Sequence, residues 1–241
     1  MSPMTDHRTL ADSLSKALHL AAAPIGISFG TEAPAGVPAF AEPMSEPAAD
    51  GRAGRVAAGC VFWVRAADQS FTTVPEDHGN CSVGRFTHGL ASLEDVAGND
   101  DVAALLESGW VTPEAVGTIP SISEPSEVIT YGPVTEAATT PDVVLLRVNG
   151  RQMMVLSDAI PGLRIEGKPQ CHIVAIAKDQ GVPAASVGCA LSRARTGMRP
   201  DEMTCALPAS DLGSIVASIE ATASTDSVVA KYAADDAQRF S

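Results

Sequence analysis

Basic residues are scarce in this chain: 16 Lys and Arg stand against 29 Asp and Glu, a formal net charge of −13 over 241 residues. An acidic surface with a pI near 4.7 repels phosphate backbones and anionic headgroups, which argues against nucleic-acid and membrane-surface binding. A long apolar run is missing too. The longest uncharged stretch, 18–30, is broken by Pro24 and falls short of the ~20 residues a membrane helix needs. The first eight residues carry Asp6 ahead of any apolar run, and the segment from Leu18 to Ala23 is too short for a secretion signal, so a cytoplasmic protein is expected. Several signatures are absent: the P-loop, G-x-G-x-x-G after a strand, G-x-S-x-G, H-E-x-x-H and any C-x-x-C pair. The standard nucleotide, hydrolase, zincin and zinc-ribbon readings therefore lack support.

What is present is a 45% apolar chain of a length suited to one large core or two small ones. Leu10, Leu14 and Leu18 recur at helical spacing, with Thr9 to Asp12 resembling a capping box, so a helix is expected over 9–22 and a strand over 24–29. Residues 31–54 are rich in Ala, Pro, Gly and Glu and read as a loop insertion. A helix over 55–67 and a strand over 70–74 follow, then a polar turn and a helix over 82–90. A further helical piece covers 102–106, strands cover 128–134 and 142–148, and a helix covers 152–160. Residues 173–178 fit either a buried strand or a helix. Ser210 is placed as the cap of a helix through Ile219, and 228–240 forms a last helix. The expected fold is a single α+β domain over 1–241, a mixed or antiparallel sheet packed with several helices.

The chemistry rests on cysteine. Five cysteines, odd in number and widely spaced, fit thiols, ligands or nucleophiles better than disulfides in a reducing compartment. Cys81 lies in His78-Gly79-Asn80-Cys81-Ser82-Val83-Gly84, where a helix start favours the thiolate and glycines such as Gly84 let backbone approach a ligand. Cys189 sits in Ser186-Val187-Gly188-Cys189, closely followed by Arg193 and Arg195. Arg193 is the candidate grip for a small anionic ligand, or it pairs with Asp201 and Glu202. Cys60, Cys171 and Cys205 each taken alone read as core residues, and His7 and His19 as solvated ones. A thiol enzyme is one reading: Cys81 as nucleophile, His78 or His88 as base. A non-catalytic small-molecule binding module is another.

The order of these segments resembles the domain of unknown function 169 family of archaea and bacteria. The resemblance is carried by Pro24-Ile25-Gly26-Ile27, the Cys60 helix with Arg65-Ala66, the turn from Thr73 to Gly84 with Cys81, and Tyr131-Gly132-Pro133-Val134. It continues through Pro141-Asp142-Val143-Val144, Gln152-Met153-Met154, Cys171, Ser186-Val187-Gly188-Cys189, Arg193, Asp201-Glu202 and Pro208. Where the family has Cys-Pro-Gly-Gly, this chain has Cys81-Ser82-Val83-Gly84, so Cys81 and Gly84 alone match there. The resemblance groups Cys60, Cys81, Cys171 and Cys189 as the family's cysteine positions and leaves Cys205 outside. What it implies is a thiolate site for zinc or an iron–sulfur cluster, serving redox or lyase-type chemistry or a carrier role on a small molecule. It implies no particular substrate, and the oligomeric state stays open.

Overall fold

A computed structural model describes residues 3–41, 59–79, 81–196 and 198–240. Its strands are β1 (Ile25–Gly30), β2 (Phe71–Thr73), β3 (Val128–Pro133), β4 (Val143–Val148), β5 (Arg164–Glu166), β6 (Ala184–Ser186) and β7 (Met203–Pro208). They form one seven-stranded sheet in the order β2-β3-β1-β4-β7-β6-β5. Every pairing is antiparallel except β5 with β6. The helices are α1 (Pro3–Leu18), α2 (Gly59–Arg65), α3 (Ser82–Thr87), α4 (Leu93–Ala97), α5 (Asp100–Glu107) and α6 (Pro113–Val116), then α7 (Gly150–Ala159), α8 (His172–Gln180), α9 (Ala190–Thr196) and α10 (Leu212–Ala237). The mixed sheet flanked by helices is the expected α+β architecture.

Strand alternation sorts the core into two faces. Ile25 and Ile27 of β1, Ile129 and Tyr131 of β3, and Val143 and Leu145 of β4 pack on one side with α2 and α8. Val144, Leu146 and Val148 of β4, with Cys205 and Leu207 of β7, pack on the other with α1, α7 and α10. The central β4 is covered on both faces, so it reads as a near-continuous apolar run. Its one charge, Arg147, pairs with Glu202 near the end of the sheet.

Several boundaries differ from the sequence reading, each for a local reason. α1 starts at Pro3, so Thr9 lies inside the helix and the Thr9 to Asp12 pattern caps nothing; proline at a first helical turn needs no donor. Residues 173–178 belong to α8. Ile173, Val174, Ala175, Ile176 and Ala177 are all buried, and a helix buried all round leaves no stripe for periodicity to detect. Gly181 closes it with φ 62°, a left-handed position that favours glycine. Ser210 does not cap α10: it sits in a 3-10 turn, Ala209–Asp211, and Asp211 is the residue before the helix. The proposed last helix is the continuation of α10, because residues 219–228 contain neither Gly nor Pro to break it. The sequence reading has no strand at β5, β6 or β7: β5 and β6 span three residues each, and β7 is buried along nearly its whole length, so none shows a clean polar alternation. Within 31–54, the described part pairs Ala39 with Thr72 and packs Phe40 on Phe62 and Phe71; residues 42–54 lie outside the described residues, as do 55–58 of the expected second helix.

Candidate functional site

Four of the five cysteines stand at helix starts. Cys60 is the second residue of α2, Cys81 immediately precedes α3, Cys171 precedes α8, and Cys189 precedes α9. Their positions follow from the sheet: α2, α3, α8 and α9 all lie over the face that carries Tyr131 and Leu145, and α2 packs on α9 while α3 packs on α8. All four cysteines line one cavity of about 30 Å³, together with Val83, Trp110, Gln170 and Ser192. Cys81 is half-buried; Cys60, Cys171 and Cys189 are buried, and none of the five cysteines forms a disulfide. Among the described residues no group of three or more His, Cys, Asp or Glu stands close enough together to hold a single metal ion.

Polar donors meet three of these sulfurs. The Gly84 N–H donates to Cys81 Sγ at 3.4 Å, and Gln170 Nε2 donates to Cys60 Sγ at 3.2 Å. Burial pushes the Cys60 thiol up to about 12, while hydrogen bonds from Ser192 and Gln170 pull it down. Burial likewise holds the Cys171 thiol well above its ordinary range, against a hydrogen bond from Thr87 and with Cys81 and Cys60 adding to the rise. Cys60 and Cys171 are neutral thiols at pH 7, set among groups that favour the thiolate. A nearby cation would tip that balance.

Behind the cavity lies an aromatic layer that holds both predicted histidine bases. His78 is buried beside Phe62, with ring centroids 4.6 Å apart, and 5.9 Å from His88. His78 Nε2 lies 2.9 Å from Thr73 Oγ1, and that hydroxyl donates to the Ile129 carbonyl. The imidazole is therefore the donor through Nε2 and its Nδ1 is bare. His88 Nδ1 lies 2.8 Å from the Gly84 carbonyl, which only accepts, so Nε2 is the bare nitrogen there. Burial drives both histidines down, His88 to about 4 and His78 well below its ordinary value, with the neighbouring His88 and Arg85 adding to the shift at His78. Both are neutral at pH 7. His78 Nδ1, His88 Nε2, Trp63 Nε1 and the Tyr131 hydroxyl are buried with no hydrogen-bond partner. Neither histidine is among the residues lining the cavity.

Arg193 has a different place from the ligand grip considered above. Its Nη2 donates to the carbonyls of Val187 and Glu202, both at 2.9 Å, and its Nε to that of Pro200 at 3.3 Å. It pairs with neither Asp201 nor Glu202 through their carboxylates; those go to Arg199 and Arg147. The guanidinium ties the loop before Cys189 to the loop before β7. It lies against Gly188, whose φ of 118° favours glycine. Gly84 is likewise an anchor: its N–H holds Cys81 and its carbonyl holds His88. Cys205 is fully buried on the opposite face of the sheet, apart from the cavity. His7, expected to be solvated, reaches the Ala209 carbonyl at 3.2 Å, and His19 ends α1 with φ 50°.

Sequence reasoning missed Gln170, Ser192, Thr87 and Trp110. Ser192 had a signal, since it follows Cys189 by three residues and so shares its helix face. Gln170 adjoins Cys171 in the chain, but nothing in its type marks it. No helix among the described residues is long and apolar enough to cross a membrane.

A family model, DUF169, described as uncharacterised ArCR, matches residues 13–218. That range includes every cysteine of the cavity and ends within α10. No curated protein and no solved structure matches the chain.

Proposed function

The chain belongs to the DUF169 family, and from that premise we propose that its cysteine cavity binds a thiophilic metal centre, an iron–sulfur cluster or zinc, for redox, lyase-type or carrier chemistry on a small molecule. One observation carries the reading: Cys60, Cys81, Cys171 and Cys189 come from four separate segments and line the same cavity. The donors aimed at Cys60 and Cys81 support it, because a neutral buried thiol has little need of them and a metal-bound thiolate does. Cys60, Cys81, Cys171 and Cys189 would hold such a centre as thiolates, their protons passing to solvent, and its positive charge would offset the burial that keeps the thiols neutral. A single tetrahedral ion with Zn–S bonds of ~2.3 Å needs sulfurs about 3.8 Å apart, and no group of three or more ligand side chains among the described residues fits one ion. A cluster of several atoms spreads its ligands more widely.

A second reading, Cys81 as a nucleophile, is favoured by its being the least buried of the four. The absorbance spectrum and elemental content of anaerobically purified protein separate the two. Visible sulfur-to-iron bands with iron and acid-labile sulfide are expected for the cluster, and zinc without colour for the alternative metal. A colourless protein free of both iron and zinc overturns the metal reading and leaves the nucleophile.

A further inference from the structure

The two edges of the sheet are finished differently. At one edge β2 is covered: the Thr72 N–H donates to the Pro38 carbonyl and the Phe40 N–H to the Thr72 carbonyl, each at 2.8 Å, and Ala39 forms a parallel bridge with Thr72. At the other edge β5 pairs with β6 in parallel, Arg164 with Ala184, Ile165 with Ala185 and Glu166 with Ser186. The Arg164 N–H donates to the Pro183 carbonyl at 3.0 Å. Arg164 and Glu166 therefore turn their backbone groups toward β6, and Ile165, by the alternation of the ladder, turns its N–H and carbonyl outward. Ile165 is 53% exposed, and among the described residues no strand or bridge covers this edge. An open edge of this kind is a template for pairing with another chain.

We infer that β5 is the contact through which two copies of this chain associate, antiparallel and across a two-fold axis at Ile165, so that the two sheets join into one. The strand is self-complementary in that register. Ile165 exchanges both N–H···O bonds with its counterpart, and each Arg164 stands directly opposite a Glu166 of the second copy. Parallel pairing in register would instead set Arg164 against Arg164 and Glu166 against Glu166. Arg164 and Glu166 already share one face of the strand, with Arg164 Nη2 2.6 Å from Glu166 Oε1, so the two strands build one network of alternating charges. That balance matters, because a chain of net charge −13 repels its own copy wherever the charges are not matched. The strand leads directly into Pro169, Gln170 and Cys171 of the cavity wall, which places the pairing beside the cysteine site. A three-residue strand makes a small contact, so the dimer is weak and forms with rising concentration.

Sedimentation velocity of the full chain, run from low to high micromolar concentration, tests this. The expected result is a monomer that gives way to a dimer as concentration rises. Ile165→Pro removes the outward N–H, leaves the β5–β6 bonds in place and should abolish the dimer. Glu166→Arg alone and Arg164→Glu alone each set like charges opposite one another across the axis and should weaken self-association roughly ten-fold, the worth of two cross-strand pairs. An equimolar mixture of those two variants should restore association, because every arginine then faces a glutamate again. A wild-type chain that stays monomeric at every concentration overturns the inference. So does a dimer that Ile165→Pro or the charge variants leave intact, which would place the contact elsewhere, as on the exposed Val228 and Tyr232 of α10. Weakening in the single variants without restoration in the mixture overturns it as well. If Ile165→Pro fails to fold, the charge variants and their mixture decide alone.

Discussion

The two faces of the sheet bury cysteine in opposite ways. On the face covered by α1, α7 and α10, Cys205 is enclosed by Leu146, Leu156, Leu207 and their neighbours, and burial alone pushes its thiol up to about 12. On the face covered by α2 and α8, the Cys60 thiol reaches the same range, but against hydrogen bonds from Ser192 and Gln170, and with Cys81 and Cys189 close enough to add to the rise. Burial leads in both; hydrogen bonds and neighbouring thiols enter only at Cys60. The first face behaves as a closed hydrocarbon layer, where a thiol is a small apolar side chain. The second leaves Gln170 Oε1, His78 Nδ1, His88 Nε2 and the Tyr131 hydroxyl unpartnered. Burial by itself does not distinguish the cysteines; the company of donors does.

The contrast breaks most readily on the closed face. Leu156→Ala, at a fully buried position of α7, removes contacts the surroundings cannot refill and is expected to cost about 2–5 kcal/mol in urea denaturation, with metal uptake unchanged. Loss of metal uptake in that variant would mean that the faces are not independent. Acid acts on the other face. The folded-state pKa of His88 is depressed to about 4 by burial, below an unfolded value of ~6.5. Its stabilisation is complete above pH 6.5 and is lost as pH falls through 4, about 3 kcal/mol from this side chain. Denaturation midpoints measured from pH 7 to pH 4 should fall accordingly, and His88→Phe should flatten the profile.

Serine substitutions sharpen the comparison at smaller energies. Cys205→Ser places a hydroxyl in an apolar layer and should lower stability by about 1–3 kcal/mol while metal content stays intact. Cys81→Ser and Cys189→Ser should abolish metal content and shift stability by less than about 1 kcal/mol, since serine keeps the size but is a poor soft-metal ligand. If all three variants behaved alike, packing would have been mistaken for chemistry. Arg193→Lys loses a planar fork shared among three carbonyls. About 1 kcal/mol of stability should go, and metal content should stay intact.

Much of this was legible in the chain. The apolar runs at Ile25-Gly26-Ile27 and Val143-Val144-Leu145-Leu146 became adjacent strands, and the four cysteine positions grouped by family resemblance came together at one cavity. Helix starts after Cys81 and Cys189 could be read from the small residues around them. The rest depended on tertiary placement. α8 is buried all round, so its sequence fits a strand as well as a helix. Arg193 looked like a ligand grip because its short chain distance from Cys189 says nothing of the carbonyls that the Val187 and Pro200 loops bring to it. His78 and His88 adjoin Cys81 in sequence yet lie in the aromatic layer behind the cavity. Gln170 was invisible for the plainest reason: nothing in an amide's type says that it will meet a buried sulfur.

The central claim, that the four cavity cysteines act together as thiolate ligands, is tested most directly by native mass spectrometry of the anaerobically purified protein. The account predicts a mass increment for the bound metal centre, reduced by as many protons as the centre carries positive charges, that disappears when Cys60, Cys81, Cys171 or Cys189 is replaced by serine and persists in Cys205→Ser. A chain at its bare mass, with all five thiols protonated and no metal acquired on anaerobic incubation with iron and sulfide or with zinc, would contradict it.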